Sequence, residues 1–171
     1  MRMLILGIAL VLLSGTPVPA GQLQSGETFF ERFPALTRAA TSNYSTSYNF
    51  ARYIFEVNVP TDSGEPLGGL VIGIPDGPVR VPSPDMIRAV SSDGAALDFA
   101  QVSLEGRNLR LVFARPVSPG AKVTIEFYPM RNPRIGGTYL FEVSAFPSGS
   151  APRTQFLSFG RVTFYEPGGR R

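Results

Sequence analysis

The sequence predicts an all-β fold: a single antiparallel β-sandwich, immunoglobulin-like or related, with about seven or eight strands. Three observations predict it. Thirteen Phe and six Tyr, with many Val, Ile and Leu, favour extended backbone, where such side chains fit a pleated, half-buried surface. Eighteen Gly and sixteen Pro supply turns and argue against long helices. Short stretches alternate apolar and polar residues, with turn signals at intervals of roughly 8 to 12 residues. A closed barrel shares these signals, because strand count does not separate closure from two packed sheets.

The chain opens with a short basic start, an apolar run from Met3 to Leu13, and small residues at Val18-Pro19-Ala20. Residues 1–20 read as a secretion signal. Their apolar run is well short of the roughly 20 residues that span a hydrocarbon core, so no retained transmembrane segment is expected. Residues 21–47 read as an extended N-terminal arm anchored by Phe29, Phe30, Phe33 and Leu36, with room for a short helix near Pro34 to Ala40. The sandwich domain is expected over 48–166, and 167–171 as a flexible tail.

From Arg52 the strand pattern is plain. Tyr53, Phe55, Val57 and Val59 alternate with Ile54, Glu56 and Asn58, and Asp62-Ser63-Gly64 makes a turn. Leu70, Ile72 and Ile74 form a second line. Prolines from Pro82 to Pro84 prevent regular pairing, so Asp85 to Val90 is either a short strand or one helical turn. Leu97 and Phe99 are out of phase with Val102 and Leu104, which requires a change of face or a bulge. Glu105-Gly106-Arg107-Asn108 reads as a hairpin turn into Leu109, Leu111 and Phe113. Val123, Ile125 and Phe127 follow, then Tyr139, Phe141 and Val143, and a last segment from Phe156 to Tyr165.

Composition narrows the chemistry. The chain has no His and no Cys, which removes Ser-His and Cys-His nucleophile pairs and the usual zinc ligands. No catalytic residue, metal site or cofactor is expected. Gly68-Gly69 enters a strand and not a helix, so it reads as close backbone packing and not a phosphate loop. Asp62, Glu65, Asp76 and Asp93 sit beside Gly or Pro, where turns use such side chains. Glu126 and Glu142 fall on the polar phase of their strands. A net charge of +3, scattered along the chain, lacks the clustered footprint of nucleic-acid binding.

One segment does suggest recognition. Arg131, Asn132 and Arg134 put two guanidinium groups and an amide on a loop rimmed by Tyr128, Met130 and Tyr139. Arginine's rigid donor fork suits carboxylate, phosphate or sulfate, and an aromatic neighbour stacks on a sugar or holds the cation. The same groups equally serve the loop itself, with Arg131 donating to local carbonyls. Phe156, Phe159 and Tyr165 form a second candidate. Alternate aromatics in an extended segment ordinarily belong to a core; exposed, they make a surface for a partner or a glycan.

The run Pro129-Met130-Arg131-Asn132-Pro133-Arg134-Ile135-Gly136-Gly137-Thr138-Tyr139-Leu140-Phe141 resembles the signature of a cyanobacterial exported family of unknown function. Ala145-Phe146-Pro147-Ser148-Gly149 and the stretch from Gln155 to Tyr165 resemble it too, and Phe55 to Pro60 with Gly64 to Leu67 match the start of its domain. The resemblance implies a small secreted or envelope protein of a photosynthetic bacterium, with no catalytic residues to carry over. The proline-rich stretch from Pro75 to Pro84 departs from it and implies a reduced edge element.

These readings lead to a noncatalytic exported module at the periplasm, cell surface or outside. Its expected partner is an envelope protein or, alternatively, an acidic polysaccharide.

Overall fold

Alternation decides which side of each strand is buried. In Ala51–Asn58, the residues Tyr53, Phe55 and Val57 are fully buried while Arg52 and Asn58 stay exposed. Leu109, Leu111 and Phe113 repeat the pattern in Asn108–Val117, and Val123, Ile125 and Phe127 in Lys122–Met130. Each strand therefore has one face that must be covered by another layer.

The computed structural model describes residues 26–166 and Gly168. The expected secretion signal at 1–20 and most of the expected tail lie outside the described residues. The strands are β1 (Glu27–Thr28), β2 (Ala35–Thr41), β3 (Ala51–Asn58), β4 (Leu67–Gly73) and β5 (Ile87–Ser91). They continue as β6 (Phe99–Glu105), β7 (Asn108–Val117), β8 (Lys122–Met130), β9 (Gly137–Pro147), β10 (Ala151–Pro152) and β11 (Gln155–Phe164). One 3-10 turn, Pro84–Met86, precedes β5, so the stretch from Asp85 to Val90 holds both a helical turn and a strand. No helix among the described residues is long and apolar enough to cross a membrane.

Two antiparallel sheets face each other, one five-stranded in the order β11-β9-β4-β7-β6 and one four-stranded in the order β2-β3-β8-β5. Two sheets with separate ladders make a sandwich and not a barrel. A short parallel pair, β1 with β10, lies apart from both. The core between the layers is aromatic. Phe55 of β3 meets Phe127 of β8 at 5.3 Å between ring centres and Phe141 of β9 at 5.2 Å. Tyr53 stands edge-on to Phe141 at 5.9 Å and beside Phe164 at 5.8 Å. The contacts of Tyr53 and Phe55 with Phe141 and Phe164 bridge the sheets, and offset or edge-on geometry suits the ring quadrupoles.

The stretch from Pro34 to Ala40 forms no helix. Ala35–Thr41 is instead strand β2, hydrogen-bonded along β3 with a bulge between Leu36 and Arg38. The bulge expected near Leu97 to Leu104 is present, with register shifting between Phe99 and Gln101. Gly68 and Gly69 open β4 at a register shift of their own. A Cβ on Gly69 would run into the Leu111 carbonyl and the Phe146 ring, so close packing demands glycine there.

Candidate functional site

The loop after β8 is built around a buried amide. Asn132 is 2 % exposed, and every group on its side chain is occupied. Its Oδ1 accepts from the Tyr53 hydroxyl at 3.1 Å, and its Nδ2 donates to the carbonyls of Asn43 and Ser45 at 2.9 and 2.8 Å. Its backbone N–H donates to Tyr48 at 2.9 Å, while Ser47 donates to the Pro133 carbonyl at 2.8 Å. Asn132 thus corrects the sequence reading: it ties the 43–48 segment to the loop and has no donor left for a ligand. Burial, with the Tyr139 phenol nearby, pushes the Tyr53 phenol well above its ordinary range, so it remains a hydrogen-bond donor.

Tyr139 is spent in the same way. Its hydroxyl donates to the Ile135 carbonyl at 2.9 Å, closing the loop on itself, and its ring stands edge-on to Phe164 at 5.7 Å. Arg131 and Arg134 remain exposed. The sequence-predicted quartet therefore splits into two exposed cations and two groups that hold their loop.

A third cation joins them from a segment that sequence reasoning passed over. Val79 is buried and Val81 half-buried, so alternation turns Arg80 outward. Prolines at 78, 82 and 84 keep this stretch out of the sheets. Arg107 holds it in place: Nε donates to the Ile74 carbonyl at 3.1 Å and Nη2 to those of Pro75 and Val79 at 2.6 Å each. Asp76 lies 3.3 Å from the same guanidinium.

Arg80 and Arg131 line two adjoining recesses. One includes Arg134, Asn132 and Pro78. The other, about 480 Å³, includes Phe50, Met86 and Met130. Together they form an open cleft whose lining combines three guanidinium groups with apolar side chains. Phe50 is 67 % exposed and has φ +66, a left-handed conformation that bulky residues seldom adopt. Ion pairs elsewhere engage Arg32, Arg38, Arg52, Arg107 and Lys122. Among the described residues no carboxylate pairs with Arg80, Arg131 or Arg134.

The carboxyls do other work. Glu56 is held below its ordinary pKa, chiefly by the hydrogen bond with Lys122 and further by Arg38. Asp93 is lowered by the backbone N–H of Ala95, which makes it the turn-forming side chain expected. Neither is poised to donate a proton near neutrality. Among the described residues no three acidic side chains cluster closely enough to hold a metal ion.

Phe156 and Phe159 are 45 and 49 % exposed, so they lie outside the core. A bulge between Phe156 and Ser158 shifts the phase and turns both rings to the outer face of the five-stranded sheet. Their centres are 5.1 Å apart and their planes 60° apart. Tyr165 does not join them. It sits beyond the far end of β11, bridged to Ser45, roughly 20 Å along the strand from Phe159.

The sandwich resembles that of BslA, a bacterial hydrophobin, at 16% identity with a TM-score of 0.52, covering 80% of this chain and 96% of that one. The major pilin subunit BcpA of Bacillus cereus aligns at 9% identity with a TM-score of 0.49, over 78% of this chain and 41% of that one. At such identities the likeness to BslA concerns fold alone. No curated protein matches the sequence significantly. A family model does match, over residues 27–164, which takes in both sheets and the cleft. The chain belongs to the family described as "Protein of unknown function (DUF2808)".

Proposed function

We propose that this chain is a noncatalytic exported interaction module of the cell envelope, and that it binds acidic polysaccharide in the cleft of Arg80, Arg131 and Arg134. One observation carries the reading. Three guanidinium groups converge from two separate loops with no carboxylate partner among the described residues, and side chains dedicated to those loops hold them there. Planar donor forks match the carboxylates or sulfates of such a polymer, and an open cleft admits a chain without enclosing an end. Phe50 supplies an apolar face beside the cations.

The test uses polygalacturonate as acidic probe and dextran as neutral control, in affinity electrophoresis at several salt concentrations. Polygalacturonate should retard the protein at low salt and lose hold as salt rises, while dextran leaves it unmoved. Replacing Arg80, Arg131 and Arg134 together with Ala should abolish retardation without changing the thermal melt. Equal retardation of the triple variant would overturn the assignment of the cleft.

A second reading, contact with an envelope protein, is favoured by the Phe156–Phe159 pair. Rings inclined at 60° do not make the flat platform that stacks on sugars, but they suit interlocking with a partner's side chains.

A further inference from the structure

Sheet edges present unpaired backbone groups, and this molecule covers three of the four edges of its main sheets. The β2 and β11 edges lean together so closely that a Cβ on Gly160 would stand 2.7 Å from that of Ala39. The free side of β5 is closed by the chain that follows it, with Ser91 donating to Ala95 and Leu97 to Ala89, both at 2.9 Å. The fourth edge, β6, pairs with β7 alone, and no other described strand lies beyond it.

That edge also lacks the usual defences. It carries no proline, and Glu105 at its end is its one charged residue. Leu104 is 50 % exposed although it faces the core side. From Gln101 to Glu105 the ladder to β7 runs without a break, and a two-residue turn, Gly106-Arg107, closes it. In such a hairpin the flanking pair, Glu105 with Asn108, exchanges both backbone bonds. Alternation then aims the N–H and C=O groups of Val102 and Leu104 away from β7.

We propose that β6 pairs with β6 of a second copy of this chain, antiparallel about a twofold axis through Ser103. The register is self-complementary. Val102 of each copy exchanges backbone bonds with Leu104 of the other, and their apolar side chains meet on the core side. Gln101 faces Glu105 of the second copy on the outer side, so an amide meets the acid and no like charges oppose. The neighbouring twofold registers fit less well. Centring on Val102 draws in the bulge at Ala100, and centring on Leu104 runs into the Gly106 turn. Two five-stranded sheets become one continuous sheet, and the interface is isologous.

The test exploits a chain without cysteine. Ser103 opposes itself across a non-bonded pair, where Cβ atoms lie about 4.5–5.5 Å apart, close to disulfide range. Ser103→Cys should therefore crosslink to a covalent dimer under mild oxidation. Gln101→Cys, displaced from its own copy along the strand, should stay monomeric. In sedimentation equilibrium the unmodified protein should pass from the mass of one chain to twice that mass as concentration rises. Leu104→Lys should hold it at the lower mass with an unchanged thermal melt. A monomer at every concentration overturns the proposal, as does crosslinking of Gln101→Cys as fast as Ser103→Cys.

Discussion

Asn132 shows how much one side chain decides. It satisfies two carbonyls from a distant segment and gives the buried Tyr53 hydroxyl its acceptor. Replacement by Ala leaves the buried Tyr53 hydroxyl and the Ser45 carbonyl without partners, while the Asn43 carbonyl keeps the Thr41 hydroxyl. Orphaned buried polar groups cost about 1–3 kcal/mol each, so Asn132→Ala should lower unfolding free energy by at least about 2 kcal/mol in urea titration. It should also weaken polygalacturonate binding, because Arg131 and Arg134 flank the same amide. The sequence marks Asn132 as notable but not as structural. Its partners are 79 to 89 residues away, and no local pattern reveals them. Arg80 was hidden for a related reason, since its companions join it only through the fold. Phe156 and Phe159 misled in the opposite direction, because a single bulged residue reverses which face an aromatic occupies.

At the scale of elements, two devices connect pieces that sequence presents separately. Arg107, which reads as a turn residue, clamps the proline-rich loop that carries Arg80 through three carbonyls. Arg107→Ala should raise amide exchange across residues 76–82 and weaken polygalacturonate binding without removing a cleft cation. Arg107→Lys should fail to restore it, since one ammonium cannot span carbonyls that a planar fork reaches. Glu56 on β3 links Arg38 of β2 and Lys122 of β8, at 3.1 and 2.5 Å. Its pKa is lower in the folded chain than the roughly 4.3 of a free glutamate. Its contribution to stability is therefore present above that value and lost as pH falls through the folded one. Melting temperature should drop on acidification below about pH 5, and Glu56→Gln should lower it at neutrality while flattening that acid slope. Asp93 leaves a residual slope of the same sign. Strands β3, β7 and β8 were legible because each buries every second residue over most of its length, and β4 does so from Leu70 onward. β2 was not: Ala35–Thr41 offers small and polar residues, and its one large apolar side chain, Leu36, packs at the margin beside Gly160.

Across the whole molecule, the all-β class follows from composition, and the two-layer arrangement follows from one-sided burial along each strand. Which strands are neighbours does not follow from either, because pairing is decided by contacts between distant segments. Tyr53 on β3 stands opposite Phe127 on β8, and Leu70 on β4 opposite Ala145 on β9. The first half of the chain therefore contributes two central strands, β3 and β4, each of which waits for one of its two partners, β8 or β9, from the last third. Loop-closure entropy has to be met before such distant pairings give anything back, and topologies of this kind fold slowly. In any order of appearance that starts at the N-terminus, β3 and β4 precede the strands that complete their layers. Completion of both layers therefore depends on β8 and β9, so a chain shortened before β9 should leave apolar faces of β3 and β4 uncovered.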